Sequence, residues 1–297
     1  MRLDIAEVGL ILEFSEIPMA LRARRRYAGF LRASEAHAGD AFTLQIAVRH
    51  ETSIPGLHPE FVDNPPARAE GDLEHVHLAG ADFEAELDFA RGRGRAAIPD
   101  SLAHADLVVR TALGLALLRR GGTLLHAAAV LRDGFAIAFA GPSGAGKSTV
   151  ATVCREIGLP VLADEMVAFR RIGAGARFFG TPYWRGAPDS GPAGALLFLQ
   201  QALRRRATHV PPSEAVPLLL AAGGAPIDLP AVHEAFFAAA GEVLRRTPAY
   251  RLEFTPDPGF WDVLDQRDEF SFFRPTPRTT RLARLPVAPG ACTGCGA

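Results

Sequence analysis

The sequence predicts an α/β protein in which a small β-rich N-terminal module (residues 1–100) precedes an α/β core (residues 101–266) and an irregular C-terminal tail (residues 267–297). Two observations predict this organisation. Before residue 100, apolar and polar residues alternate with a period near two, which is typical of half-buried strands. After it, such segments alternate with segments whose apolar residues recur at helical spacing. The tail is rich in arginine and proline and has neither pattern.

The N-terminal module contains three predicted strands, at residues 9–14, 42–48 and 83–89. Turn residues separate them at 53–56, 63–66 and 79–82. His75 and His77 are two positions apart, so a strand would place both on one face. With no third ligand nearby, they indicate surface histidines rather than a metal site. We expect the module to act in substrate docking or assembly.

The core begins with a predicted helix that Asp100 or Ser101 caps and that Gly121 and Gly122 end. The later pattern predicts, in order, strands at 124–131 and 135–140, a helix at 148–157, strands at 160–163 and 196–199, helices at 213–222 and 230–246, a strand at 249–254 and a short helix within 256–266.

Composition and charge limit the classes of partner. The chain is 48% hydrophobic and 22% charged, with a net charge of −1, so no overall positive field favours nucleic acid or an anionic membrane. The arginine clusters 24–26 and 204–206 are short and are expected to be solvated helix faces. No segment approaches the ~20 apolar residues of a membrane span, and the first residues lack the apolar core of a signal peptide. We therefore expect a cytoplasmic protein with no nucleic-acid or membrane partner.

The three cysteines are too few for a disulfide framework in a chain of this length. Cys154 falls within a predicted helix and is expected to be a small core residue. Cys292 and Cys295 form a C-x-x-C without a second pair, whereas a structural zinc site usually needs four ligands. A frayed tail is therefore the better interpretation than a metal site.

A phosphate-binding loop lies between the predicted strand 135–140 and the predicted helix 148–157. The pattern G-x-x-x-x-G-K-[ST] is matched by Gly141, Pro142, Ser143, Gly144, Ala145, Gly146, Lys147 and Ser148, with Thr149 following. Of the 32 lysine and arginine residues, Lys147 is the only lysine. A slim ammonium reaches between phosphates better than a planar guanidinium does. Glycines let backbone N–H groups converge on an anion at the helix N-terminus. The alternative is a glycine-rich turn with an incidental lysine.

Two further sites are predicted beside this loop. Asp133 and Gly134 form a hairpin turn signal, and a two-residue turn would set His126 opposite Gly141. That histidine can reach the γ-phosphate region or orient a carboxylate, or it can have only a structural hydrogen bond. Asp164 and Glu165 follow a short buried strand and emerge at the same sheet edge. One acid can hold Mg²⁺ and the other can take a proton from a hydroxyl, unless the two form a cap or a surface ion pair.

Residues 179–186 form an aromatic loop bounded by glycine and containing Arg185. It can be a lid or acceptor-binding loop in which Arg185 neutralises transition-state charge, and a buried aromatic turn with an exposed arginine explains it equally well. Guanine-reading N-K-x-D elements are missing, and Val167 stands where the glycine of a D-x-x-G switch would follow Asp164. A GTPase is therefore not expected, nor is a transporter ATPase, since the L-S-G-G-Q signature is absent.

His126, the hairpin, the loop GPSGAGKST at 141–149 and the acid pair at 163–167 together resemble the catalytic core of the HPr kinase/phosphorylase family. The similarity covers roughly residues 105–266 and is closest to diverged members, which include kinases of lasso-peptide precursors. The resemblance implies a phosphate loop in a mixed sheet, as in ATP-using phosphoenolpyruvate carboxykinase, and ATP- and Mg²⁺-dependent phosphorylation of a serine hydroxyl. In it Lys147 and the loop amides hold phosphates, Ser148 helps bind Mg²⁺, Asp164 is the base and His126 supports Asp164.

Glu165 stands where HPr kinases have a second aspartate, and their glycine-rich C-terminal signature has no clear counterpart. Phosphorolysis and HPr itself as the acceptor are therefore not expected. The resemblance favours a homo-oligomer. Three functions are predicted in order of preference: a serine kinase acting on a peptide or small protein, a kinase of a small hydroxylated metabolite, and a nucleotide-dependent binding protein with little turnover.

Overall fold

The computed structural model describes residues 1–32, 41–50, 67–183, 185–222 and 225–266. Within these residues the N-terminal part forms a seven-stranded mixed sheet in the order β1-β2-β3-β7-β6-β5-β4. Its strands are β1 (Arg2–Ile5), β2 (Val8–Phe14), β3 (Phe42–Arg49), β4 (Arg68–Gly71), β5 (His75–Ala79), β6 (Glu84–Asp88) and β7 (Arg93–Pro99). β3 runs parallel to both β2 and β7, whereas the remaining pairs are antiparallel. Buried and exposed side chains alternate along most of these strands, because one face of the sheet covers the core.

Two helices pack against this sheet: α1 lies between β2 and β3 in the chain, and α2 leads from β7 into the core. Helix α1 (Ile17–Arg26) has Pro18 in its first turn and three arginines in its last turn, where positive charge favours the helix dipole. A 3₁₀ turn (Ala28–Phe30) follows it. Helix α2 (Leu102–Leu118) begins after Ser101, as predicted, and is buried over most of its surface. The core beneath the sheet includes α2 and continues to residues of the later helix α5, so apolar packing crosses residue 100 without a break.

The described part of the core contributes a nine-stranded sheet with parallel and antiparallel pairs. Its strands are β8 (Thr123–Leu125), β9 (Ala127–Arg132), β10 (Phe135–Ala140), β11 (Val161–Ala163), β12 (Val167–Ile172), β13 (Gly175–Phe179), β14 (Ser190–Gln201), β15 (Arg206–His209) and β16 (Ala249–Phe254). The remaining helices are α3 (Lys147–Glu156), α4 (Pro212–Ala221), α5 (Pro230–Arg246) and α6 (Phe260–Asp265).

The sheet follows the path β11-β9-β10-β14-β13-β12-β8. Strand β14 pairs with β13 through its first residues and with β10 and β16 farther along. The last strand on the path, β8, continues into β9 with only His126 between them. A strand at one end therefore runs directly into a strand near the other end, so the sheet curls back on itself. The protein is thus an α/β fold with mixed sheets and a β-rich N-terminal part.

The structure confirms several predicted elements. The hairpin of β9 and β10 has the expected register, since Arg132 pairs with Phe135 and Ala127 with Ala140. Helix α5 and strand β16 have the predicted bounds. Cys154 is buried, and burial raises the pKa of its thiol to about 12, as expected for a core residue. His75 and His77 are exposed on β5, as predicted. Among the described residues, no helix has the length and apolar character that a membrane span requires.

Other elements differ from the sequence patterns. Strand β14 (Ser190–Gln201) is longer than the predicted strand 196–199. The prediction missed its first part because Gly191, Pro192 and Gly194 obscure the strand pattern there. The predicted strand 124–131 is divided at His126, because its two halves pair with different strands. The cluster 204–206 is exposed but precedes and begins β15 rather than lying on a helix. The loops at 53–56 and 63–66, the tail 267–297 and Cys292 and Cys295 in it lie outside the described residues.

Candidate functional site

The predicted phosphate loop occupies the turn between β10 and α3. Gly144 and Gly146 have φ angles of +79° and +105°, which L-residues with a side chain rarely adopt. A Cβ on Gly146 would lie 2.7 Å from the Phe254 ring, so this glycine is also required by packing. Gln201 at the end of β14 donates a hydrogen bond of 2.9 Å to the Gly144 carbonyl and thereby ties the loop to the sheet. The geometry leaves the N-terminus of α3 open toward an anion.

Lys147 is buried at the first turn of α3. Its ammonium donates hydrogen bonds to the carbonyls of Gly141 at 2.8 Å and Pro142 at 3.0 Å. Burial lowers the pKa of Lys147, and the charge of Glu165 opposes that shift. The single lysine is therefore folded back on its own loop, where an anion with better acceptors can take over its hydrogen bonds.

Asp164 and Glu165 lie between β11 and β12, at the edge of the sheet. Asp164 is only 5% exposed, and its Oδ1 is buried without a hydrogen-bond partner in the described part of the chain. Its Oδ2 lies 3.7 Å from a guanidinium nitrogen of Arg155 on α3. Because burying a carboxylate oxygen without a partner is costly, Asp164 is suited to receive a proton or a cation there.

His126 lies at the break between β8 and β9, and the acid pair lies at the neighbouring break between β11 and β12. The two ladders share one register across these breaks, with Leu125 opposite Val167 and Ala129 opposite Ala163. The chain therefore leaves the paired strands at the same level at both breaks, because the sheet curls there. The curl therefore brings the imidazole and the carboxylates to one edge of the sheet, where they line the same cavity.

The environment of His126 favours its neutral form. Burial is the main cause of its lowered pKa, and the positive charge of Lys147 adds to the shift. Glu165 and the backbone carbonyl of Ala222, at the end of α4, act in the opposite direction.

The loop that follows β13 is anchored to the strand carrying the acid pair. Thr181 donates a hydrogen bond of 2.6 Å to the carbonyl of Met166, and the Ala187 amide donates one of 2.9 Å to Leu162. A Cβ on Gly180 or Gly186 would collide with backbone atoms, so both glycines are needed for this docking. Arg185 is exposed with a φ of +67°. Trp184 lies outside the described residues.

A single cavity of about 1140 Å³ connects these groups. Of the residues predicted from the sequence, it is lined by His126, Ser143, Gly144, Gly146, Lys147, Ser148, Thr149, Asp164, Glu165 and Arg185. Gly141, Pro142 and Ala145 are not among its lining residues. Gly141 and Pro142 instead hold Lys147 through their carbonyls. The volume is slightly above the ~300–1,000 Å³ of a typical small-molecule pocket, so the cavity is large enough for a nucleotide.

Sequence patterns missed one wall of this cavity. It is formed by Arg26 from α1 and by Asp106, Leu107 and Arg110 from α2, beside Tyr183 of the loop 179–186 that the sequence did indicate. The three α2 residues were hidden within a long apolar helix, and Arg26 belongs to a cluster expected to be solvated. The available signal was the spacing of Asp106 and Arg110, four positions apart in a helix that is otherwise almost entirely apolar.

The loop and the acid pair fit a nucleotide phosphate and a divalent cation. The loop glycines leave a cradle that side chains would fill, and Asp164 has a buried oxygen without a partner. No group of three or more His, Cys, Asp or Glu side chains arranged to hold a metal occurs among the described residues. Comparison with protein-family models gives no match for this sequence, and comparison with curated proteins also gives none.

Proposed function

We propose that this protein is an ATP- and Mg²⁺-dependent kinase that transfers the γ-phosphate to a serine hydroxyl of a peptide or small protein. The observation that carries the proposal is the convergence of Lys147, His126 and Asp164 on one cavity. The similarity of their order to the HPr kinase/phosphorylase family supports the same assignment. The cavity volume supports it too, since the cavity is large enough for a nucleotide.

In this proposal the protein supplies position and charge. The loop amides and Lys147 bind the phosphates of ATP, and Ser148, Asp164 and Glu165 would hold Mg²⁺, which neutralises phosphate charge when it is bound. The serine oxygen forms its bond to the γ-phosphorus as the bond to the ADP oxygen breaks. Asp164 takes the proton of the serine hydroxyl. Arg185, which lines the cavity, would neutralise the negative charge that develops in the transition state.

The proposal is tested by incubating the protein with Mg²⁺ and γ-labelled ATP, then with separated peptide and metabolite fractions of a cell extract. We expect label in serine residues of a peptide or small protein. Label only in a metabolite would assign a small-molecule kinase to the same fold. Tight ATP binding without transfer to either fraction would instead indicate a nucleotide-dependent binding protein.

Replacing Gly146 by Ala is expected to lower ATP affinity by about tenfold, because a left-handed backbone costs an L-residue roughly 1–2 kcal/mol and the free loop escapes that strain by leaving the conformation that binds the phosphates. The added Cβ would also press on Phe254. Calorimetric titration with ATP measures the change. Gly158→Ala is the matched control, since Gly158 has a φ of +81° with open space around it and lies at the other end of α3. Equal ATP affinities in the two variants would contradict the cradle assignment.

Replacing His126 by Gln is expected to lower the transfer rate by about tenfold, the lower end of the effect of removing a residue that supports a reactive group. The pKa of His126 is lowered, so the ring is neutral at pH 7 and becomes protonated only at a pH below its ordinary value of 6.5. Wild-type activity should therefore fall as the pH drops below that value, because His126⁺ would repel Lys147.

Glutamine does not take up a proton in this pH range, so the fall in activity that His126 causes at low pH should be absent from the His126→Gln variant. The glutamine amide retains a donor for the Ala222 carbonyl. The pH–rate profiles of wild type, His126→Gln and the surface control His233→Gln provide the measurement. Superimposable acid limbs in all three proteins would exclude His126 from the reacting state.

A further inference from the structure

One face of α2 forms a wall of the cavity that no sequence motif marks. Leu102, Ala103, Asp106, Leu107 and Arg110 are the α2 residues that line the cavity, and all are partly exposed within a helix that is mostly buried. Their spacing of three and four positions places them on one side of the helix. With Arg26 and Tyr183 they form a surface, here named the α2 wall, of mixed charged and apolar character.

The charged groups of the α2 wall are held in place by ordered contacts. Arg26 donates from Nε to Asp106 at 2.9 Å, and the buried hydroxyl of Tyr27 donates to the same carboxylate. Both oxygens of Asp106 are thereby satisfied. In the described part of the chain the Arg26 guanidinium binds Asp106 through Nε, which holds the side chain in place and leaves its other N–H groups to donate to a ligand.

Tyr183 provides an independent sign of a ligand. Its side chain is 4% exposed, and its hydroxyl is buried without a hydrogen-bond partner in the described part of the chain. It lines the cavity beside Arg26, Asp106 and Arg110. An unsatisfied buried hydroxyl of this kind is uncommon in a folded protein and points to a partner that binds there.

The electrostatics agree with this geometry. Burial and Asp106 raise the pKa of Tyr183, while Arg110 and Arg26 lower it. Arg110 also acts on His126, whose pKa it lowers. Arg110, a member of the α2 wall, therefore lies close enough to act on both Tyr183 and His126. Within the α2 wall two arginines, Arg26 and Arg110, stand against one acid, Asp106, so the wall carries a net positive charge.

We infer that the α2 wall is the acceptor subsite and that it binds a carboxylate carried close to the acceptor serine. Guanidinium forks bind carboxylates with two parallel hydrogen bonds, and the Tyr183 hydroxyl can donate a third. Leu102 and Leu107 offer apolar contact to the neighbouring part of the acceptor. The inference rests on the proposed kinase function and specifies its substrate as an acidic serine peptide.

The test uses the full chain, ATP, Mg²⁺ and a library of synthetic serine peptides in which Glu or Gln is placed in turn at each position within three residues of the serine. We expect at least one position at which Glu raises kcat/KM about tenfold or more over Gln, as charge-assisted hydrogen bonds do. Arg110→Gln should remove most of this preference, and Arg110→Glu should favour a Lys peptide at the same position. The KM for ATP should stay within about twofold, since the effect acts on the acceptor.

Arg22→Gln is the matched control, because Arg22 pairs with Asp100 one helical turn from the Arg26–Asp106 pair but does not line the cavity. Its Glu preference should equal that of the wild type. Thermal melting of each variant identifies any that fail to fold, in which case Tyr183→Phe, which removes only the hydroxyl, replaces it and should reduce the preference.

Three results would overturn the inference. Phosphorylation of serine peptides without any Glu preference would refute the carboxylate subsite and leave the kinase proposal intact. A raised KM for ATP with an unchanged peptide preference in Arg110→Gln would assign Arg110 to the nucleotide. ATP binding with no transfer to any peptide would refute both proposals.

Discussion

The Asp164→Asn variant is expected to lose phosphate transfer by about 100- to 10,000-fold, the range contributed by a positioned general base. Its affinity for ATP should remain within about threefold of the wild type, since Ser148 and Glu165 would still hold Mg²⁺ and the loop that binds the phosphates is unchanged. Asparagine has nearly the same shape as aspartate but is neutral and does not accept the hydroxyl proton. The loss should therefore appear in the transfer step and not in binding.

The surroundings of Asp164 are the reason to expect a loss of transfer without a loss of folding or of ATP binding. Its buried Oδ1 has no partner in the described residues, and Arg155 is the guanidinium within 4 Å of its Oδ2. Because Arg155 is itself 41% exposed, water can replace that contact in the variant. We expect the folded structure to be retained, which thermal melting checks.

Single-turnover transfer from labelled ATP and equilibrium binding of ATP are the two measurements. Asp189→Asn, a change of the same kind on the exposed part of the 180–189 loop, is the control and should behave as the wild type. Equal transfer rates in wild type and Asp164→Asn would rule out Asp164 as the base. A large loss of ATP affinity instead would make it mainly a ligand of the nucleotide complex.

Local signals in the sequence predicted the loop, the hairpin and the edge carrying the acids. The Asp133-Gly134 turn determines the register of β9 and β10, because a two-residue turn leaves no freedom in the pairing. A helix and a short return strand after the loop bring Asp164 to the same edge as Lys147. Each of these inferences uses residues that are near in sequence.

Features determined by distant contacts were not predictable in this way. No glycine or proline marks the break at His126, which exists because β8 pairs with β12 while β9 pairs with β10 and β11. Arg26 joined the cavity because α1 packs against α2, some eighty residues later in the chain. Asp106 and Arg110 of the α2 wall line the cavity, but the helical spacing of apolar residues in α2 does not show that they do. Tertiary packing decides such positions.

Replacing Lys147 by Arg is expected to reduce ATP affinity by about 100-fold, although the charge is retained. Lys147 is 7% exposed, and its ammonium donates to the carbonyls of Gly141 and Pro142, at 2.8 and 3.0 Å. A guanidinium is broader and planar, so it would displace the loop or turn away from the phosphates. Loss of a charge-assisted hydrogen bond of about 3 kcal/mol corresponds to that factor.

The reciprocal change Arg155→Lys is the control, because it exchanges the same two residue types on the same helix at an exposed position. It should leave ATP affinity within about threefold. Fluorescence titration with an ATP analogue and thermal melting distinguish weakened binding from misfolding. If Lys147→Arg binds ATP as the wild type does while folding normally, the ammonium does not contact the phosphates. The preference of this arginine-rich chain for lysine at position 147 would then require another reason.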